Sequence, residues 1–142
     1  NLHKKEDSLF KTCTHISIHC NLSDETHHLV NAERMKMMPG KKSGIVCGNH
    51  IVNCARGGIV DEDALLAALD DGTISSAALD VFEVEPLPDD YPLLQHPNFH
   101  GTPHIGAATK EAQQRVGIEI ADAIITGLKG RKPSTIVNGK YL

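Results

Sequence analysis

Aromatic side chains are scarce in this chain, with two Tyr, three Phe and no Trp among 142 residues. The core must therefore be built from Ile, Leu, Val and Ala, a balance that suits parallel strands covered by helices. Basic residues are not in excess either. The formal charge of −4 argues against a phosphate-tracking surface, which needs a surplus of Lys and Arg. No apolar run reaches the ~18 residues of a membrane span, so neither nucleic acid nor membrane is expected as a partner. No secretory leader is recognisable. CxxC, HExxH and GxGxxG are all missing, which removes the short signatures of redox dithiols, metalloproteases and pyrophosphate-binding turns. The chain opens on Asn1, not Met, and is expected to be a segment of a longer polypeptide.

What is present suits a globular domain. Apolar residues make up 40% and charged residues 23%, enough for one ordinary core. Cys13, Cys20, Cys47 and Cys54 are expected to be buried small hydrophobes in a reducing cytosol, which implies a cytoplasmic protein. Nine histidines include the i, i+4 pairs His15/His19, His96/His100 and His100/His104. Those pairs fall in a strand-like run or beside Pro97 and Pro103. Four strand residues span roughly 13 Å, too far to share one ion, so no metal site is expected.

The pattern alternates strand and helix. Thr14 to His19 reads as a short strand, followed by a polar loop through Asn21 to Glu25. Asn31 looks like the N-cap of a helix running to about Met38, stopped by Pro39-Gly40. His50 to Cys54 is a second strand, leading into Ala55-Arg56-Gly57-Gly58. Asp61 to Leu69 has acidic residues in its first turn and a Leu65, Leu66, Leu69 stripe, with Gly72 as its stop. Ile74 to Phe82 returns as a strand, a Pro-rich connection spans Glu85 to Pro97, and Phe99 to Thr102 is another short strand. A long helix is expected from after Thr109 to about Lys129. Its two apolar stripes, Val116, Ile120, Ala123, Ile124 and Leu128 against Ile118, Ala121 and Ile125, suit packing against more than one surface. Ser134 to Asn138 is expected to close as a final strand. The implied architecture is α/β, a doubly wound, Rossmann-like parallel sheet with its ligand at the carboxyl ends of the strands. Residues 1–106 form a partial domain of that kind, and residues 107–142 a bridging helix with a return segment.

Chemistry-bearing residues fall at those strand ends. Arg56 follows one strand, Asp80 interrupts the apolar run Ala78-Leu79-Asp80-Val81-Phe82, Glu85 precedes Pro86, and His104 sits in Thr102-Pro103-His104-Ile105-Gly106. Each has an ordinary explanation alone, as a loop cation, a paired acid, a surface acid or a structural histidine. A buried Asp needs a partner in any case. Their convergence at one end of one sheet points to a site.

The stretches Asn53 to Glu62, Ala77 to Phe82 with Glu85-Pro86, and Thr102 to Gly106 together resemble the D-isomer-specific 2-hydroxyacid dehydrogenases. His15 to Val30 is similar to that family's preceding strand and loop, and the resemblance covers roughly residues 12–138. Ala108-Thr109-Lys110-Glu111-Ala112 and Ile136-Val137-Asn138 look most like its phosphoglycerate-oxidising branch, a step of serine biosynthesis. Phe82 to Glu85 and Ile105 to Ala108 look more like the metabolic enzymes than like the corepressors that share the fold.

The resemblance implies hydride transfer between NAD and the carbon bearing the hydroxyl of a 2-hydroxy acid, or its return to a 2-keto acid. It makes His104 the general acid/base, Glu85 its orienting partner and Arg56 the anchor for the substrate carboxylate. It places Asp80 at the nicotinamide side, lined by Cys54, Ala55, Gly106 and Ala107 and flanked by Arg56 and His104. It also implies a homodimer in the full-length enzyme.

Two departures stand out. The family's Gly-rich turn for the pyrophosphate is missing, so the chain is expected to hold the nicotinamide side without the adenine side. The family closes the gap between Pro39-Gly40 and the strand at His50 almost directly, whereas here Lys41 to Asn49 intervene. That stretch is expected to be a surface bulge, although Gly44-Ile45-Val46-Cys47 could compete as a strand. Asn21 also stands where the family commonly has Pro. The competing expectation is a truncated, catalytically inactive relative that keeps only an interaction surface.

Overall fold

The computed structural model describes residue 3 and residues 5–139. It divides into two compact units, residues 1–104 and 105–142. The first runs α1 (Glu6–Phe10), β1 (His15–Ile18), α2 (Ala32–Met37), β2 (Lys41–Lys42), β3 (Ile45–Val46), β4 (His50–Asn53), α3 (Glu62–Asp70), β5 (Ser76–Leu79), α4 (Pro92–Gln95) and β6 (Phe99–Gly101). Four strands make one parallel sheet in the order β1-β4-β5-β6. Each crossover adds the next strand on the same side, as in one half of a doubly wound sheet.

The register explains the core. Ile16, Ile51, Ala77 and Phe99 align across the four strands, and all four are buried. Side chains alternate across a strand, so Ile18, Asn53 and Leu79 face the same way two residues on. Met35 from α2, Leu65 and Leu69 from α3, and Leu93 from α4 complete that layer. The opposite face differs from the aliphatic pattern expected of a parallel sheet. It carries the exposed His15, Ser17 and His100, whose polarity suits water, and the exposed but apolar Val52.

The helices start where their caps predict. The Asn31 side chain accepts the Arg34 N–H at 3.0 Å, and Asp61 accepts the Ala64 N–H at 3.0 Å. Gly72, at φ 77°, ends α3 in the left-handed region that favours glycine. Sequence patterning missed α1 and α4. In α1 the anchor is Phe10, buried beneath the Arg34 guanidinium 5.9 Å from its ring centroid, a tertiary contact with no local periodicity. In α4 the four residues are too few for a helical repeat to show, and Pro92 opens the turn.

Lys41 to Asn49 does not compete for the sheet. It folds back on itself as the antiparallel pair β2–β3 through Ser43 (φ 52°) and Gly44 (φ 82°), a two-residue turn with both central residues at positive φ. Asn49 closes its base. This buried side chain accepts the Gly40 N–H at 2.8 Å and donates to the Thr73 carbonyl at 2.9 Å and the Met38 carbonyl at 3.3 Å.

The second unit holds α5 (Lys110–Leu128). Thr109 caps it by accepting the Ala112 N–H at 3.1 Å, and Gly130 at φ 71° follows its end. Val116, Ile118, Ile120, Ile124 and Ile125 are all exposed. The strand expected at Ser134 to Asn138 is not formed. Those residues are turns and irregular chain, because a strand needs a neighbouring edge for its backbone groups and none pairs with them among the described residues. Among the described residues no helix is long and apolar enough to cross a membrane.

The hairpin and its base should therefore separate in a denaturant titration. Removing Lys41 to Val46 and joining Gly40 to Cys47 is expected to change unfolding free energy by less than about 1 kcal/mol, as for other surface changes. Asn49→Ala, which removes the partner of three backbone groups, one buried and two half-buried, is expected to cost roughly 2–4 kcal/mol. Equal losses in the two variants would show that the hairpin is part of the fold.

Candidate functional site

The carboxyl ends of β4, β5 and β6 lie side by side, and each delivers part of the site. At β4, the buried Asn53 folds its own loop. Its Oδ1 accepts the Ala55 N–H at 2.9 Å and its Nδ2 donates to the Arg56 carbonyl at 2.9 Å. Cys54 and Arg56 are thereby left exposed, with Ala55 half-buried between them. The Arg56 guanidinium donates to the Ala55 carbonyl at 2.7 Å, a contact that leaves most of its five donors for other acceptors.

At β5, the polar interruption in the apolar run is resolved. Asp80 is buried, and its carboxylate accepts the Thr102 hydroxyl across the gap to β6. Its N–H donates to the Asn53 carbonyl at 2.9 Å, extending the ladder past the strand ends. Asp80 is thus held from both neighbouring strands.

Past β5 the chain turns sharply at Phe82 to Glu85. The Glu85 Oε1 accepts the Phe82 N–H at 2.9 Å, and its Oε2 lies 2.8 Å from His104 Nδ1. A carboxylate can only accept, so Nδ1 carries the proton in this contact and Nε2 is the nitrogen left for exchange. The hydrogen bond from His104, then that from Phe82, holds the Glu85 carboxyl below the usual carboxylate range. His104 itself sits at φ 53°, a backbone region that non-glycine residues seldom occupy and that tends to mark functional positions. A cavity of about 490 Å³ opens beside the pair, lined by Phe82, Leu87, Leu94, Thr102 and His104 among others.

The Arg56 loop and the Glu85 turn are in contact. A Cβ on Gly57 would come within 1.8 Å of the Phe82 carbonyl oxygen, so only glycine lets the two backbones approach this closely. Of the residues singled out from sequence, Cys54, Ala55, Arg56, Asp80, Glu85 and His104 thus lie on adjoining strand ends of the first unit. Gly106 and Ala107 belong to a turn of the second unit.

Asn53, Thr102, Glu62 and Tyr91 were not singled out. Asn53 and Thr102 carried the signal that exposed Asp80, a polar residue at the end of an apolar strand. Glu62 carried none, since an acid in a first helical turn is ordinary.

The family model for the D-isomer specific 2-hydroxyacid dehydrogenase NAD binding domain matches residues 3–106. D-3-phosphoglycerate dehydrogenase 2, chloroplastic, of Arabidopsis thaliana is 46% identical over 132 residues, covering 93% of this chain and 20% of that protein. Glyoxylate reductase of Thermofilum pendens is 44% identical over 136 residues, covering 96% and 38%. Among solved structures, a D-lactate dehydrogenase from Treponema pallidum superposes with a TM-score of 0.79 at 32% identity, covering 92% of this chain and 41% of that one. The chain thus spans well under half the length of these relatives.

The Glu85–His104 contact makes a pH prediction. A carboxyl whose folded-state midpoint is lowered contributes stability at neutral pH, and that contribution is lost as pH falls through the lowered midpoint. His104→Ala is expected to raise the Glu85 midpoint toward the ordinary range, read as the pH dependence of its carboxyl carbon by NMR. An unmoved midpoint would show that the pair does not form in solution.

Proposed function

The chain belongs to the D-isomer specific 2-hydroxyacid dehydrogenases through their NAD binding domain, and we propose that it forms the nicotinamide side of a site that oxidises a D-2-hydroxy acid to its 2-keto acid. The observation that carries this reading is the Glu85 Oε2 to His104 Nδ1 contact of 2.8 Å, beside a cavity and on the strand end next to Asp80. Its donor set fits a nicotinamide dinucleotide. Asp80 is an acceptor suited to a carboxamide, and the small Cys54 and Ala55 at the end of β4 leave room for a flat ring.

NAD, when bound, supplies the hydride acceptor. In the oxidation direction, His104 takes the substrate hydroxyl proton at Nε2, a task suited to imidazole because it titrates near working pH. Glu85 accepts from Nδ1 throughout, fixing the ring and favouring the imidazolium that forms. The Arg56 guanidinium holds the substrate carboxylate in a two-pronged contact that Lys could not reproduce. In the reverse direction the same proton returns from Nε2 to the carbonyl oxygen.

We assign 3-phosphoglycerate as the substrate, in serine biosynthesis. The Arabidopsis relative and the run Ala108 to Ala112 support that choice. A homodimer and a cytoplasmic setting belong to the same reading, the latter in keeping with four free thiols. The rival reading is a catalytically inactive relative that keeps an interaction surface alone.

Titrating NADH into the 142-residue chain, with nicotinamide fluorescence as the signal, separates the two. Saturable binding that weakens in Asp80→Ala is expected. In an enzyme carrying this segment, His104→Ala is expected to lower kcat by roughly 10²–10⁴-fold while largely sparing NADH affinity. Retained turnover in His104→Ala would mean the acid/base is misassigned. A folded chain that never binds NADH would favour the inactive relative.

A further inference from the structure

We infer that Glu62 is a positioning residue for the acid/base pair, its carboxylate holding the 82–91 connection in the shape that brings Glu85 to His104. The inference rests on the roles proposed above for Glu85 and His104. Glu62 opens α3 directly after the cap Asp61, yet its side chain turns inward and is buried.

Its two oxygens hold two separate points of the connection. Oε1 accepts the Glu83 N–H at 2.7 Å, and Oε2 accepts the Tyr91 hydroxyl in a short hydrogen bond. Glu83 and Tyr91 bracket the segment that carries Glu85-Pro86. Between those points Glu85, Pro86, Pro88, Asp89 and Asp90 are exposed, and an exposed stretch has few contacts of its own to set its course. A planar acceptor with two oxygens suits one N–H and one O–H arriving from different directions.

The phenol is seated by more than this bond. The Phe82 and Tyr91 rings meet edge to face at 6.3 Å, so the brace and the turn share one packed unit. The brace also has a cost. Burial raises the Glu62 carboxyl above its ordinary range, outweighing the opposing hydrogen bonds from Tyr91 and Glu83, with the nearby Glu83 and Asp63 carboxylates adding to the rise. On the outer side His28 Nε2 meets Glu83 Oε1 at 2.7 Å and His28 Nδ1 lies 3.8 Å from Asp61, so the Glu83 side chain is occupied elsewhere and only its backbone serves Glu62. An acid that folding must desolvate contributes less to stability than a well-packed apolar residue of its size. Its place here is explained by the two donors it holds.

The test reads Glu85, not turnover. In the 142-residue chain the Glu85 carboxyl carbon is titrated by NMR, with His104→Ala marking the midpoint of an uncoupled Glu85 and Asp80 as the other acid near it. Glu62→Ala is expected to move the Glu85 midpoint upward in the same direction as His104→Ala. Glu62→Gln, which keeps an acceptor for the Glu83 N–H, is expected to preserve most of the lowering. A purely structural Glu62 would lower the melting temperature and leave Glu85 unmoved, and that result in folded Glu62→Ala overturns the inference.

Should Glu62→Ala lose its cooperative thermal transition, Tyr91→Phe decides. A partial upward shift supports the brace and an unchanged midpoint refutes it. NADH plays no part in this readout. A chain that fails to bind NADH yet shows the Glu62-dependent shift loses the proposed function and keeps the brace, while normal NADH binding with a Glu62-independent midpoint removes the brace alone.

Discussion

One peptide unit, Phe82–Glu83, is the constraint on which the site depends. Its carbonyl oxygen lies against Gly57, the residue after Arg56. The amide on its near side, Phe82 N–H, is held by Glu85, and its own amide, Glu83 N–H, is held by Glu62. A backbone donor buried without a partner costs about as much as the lost hydrogen bond, so each link is also a demand. Moving the turn away from Glu62 or Glu85 would strand a donor. Moving it toward β4 would drive the Phe82 carbonyl into the Gly57 backbone. The cation at the end of β4 and the acid after β5 are located by reference to the same few atoms.

Around that junction, buried polar side chains do at the strand ends what backbone pairing does within the sheet. A parallel ladder stops abruptly, and the loops beyond it must satisfy their own amides and carbonyls. Asn53 does so for the Cys54 to Arg56 loop. Asp80 joins β5 to the segment after β6 through Thr102. In a low-dielectric setting such bonds are directional and costly to leave unmade, so they fix orientation more sharply than apolar contact would. Arg56 is exposed on a loop shaped by the buried Asn53, whereas His104 meets a likewise exposed Glu85 whose turn is held by the buried Glu62.

The sequence made much of this legible, and the reason is local chemistry. Asn31 is the N-cap that its residue type and position implied, and α5 begins after Thr109 as expected, because capping is decided within three residues. Asp61, read as the first residue of its helix, is instead the cap. The strands around Ile16, Ile51 and Ala77 showed through their apolar residues, although β5 is shorter than the run from Ile74 to Phe82 suggested. Beyond Leu79, Asp80 adds one backbone bond to Asn53 and a side-chain bond from Thr102. Elements held by distant contacts were not legible. Phe10 needs Arg34, and the short α4 needs the layer that Leu93 joins. The Ser134 to Asn138 run had strand-like residues and, among the described residues, no edge to pair with. Glu62 was hidden for the same reason, since first-turn acids are common and nothing nearby marks this one as buried.

The geometry of the Glu85–His104 pair is complete within the first unit. Arg56, Asp80, Glu62, Glu85 and His104 all lie in residues 1–104, and every bond described among them closes inside that range. His104 is its last residue, at positive φ, with its N–H donated back to the Thr102 carbonyl at 3.0 Å. The ring is therefore aimed by the chain that precedes it. The Glu85–His104 contact is set by one sheet edge, whereas Gly106 and Ala107 begin the second unit. Positioning a proton acceptor requires fixing one ring against one carboxylate, which a short buried network can do.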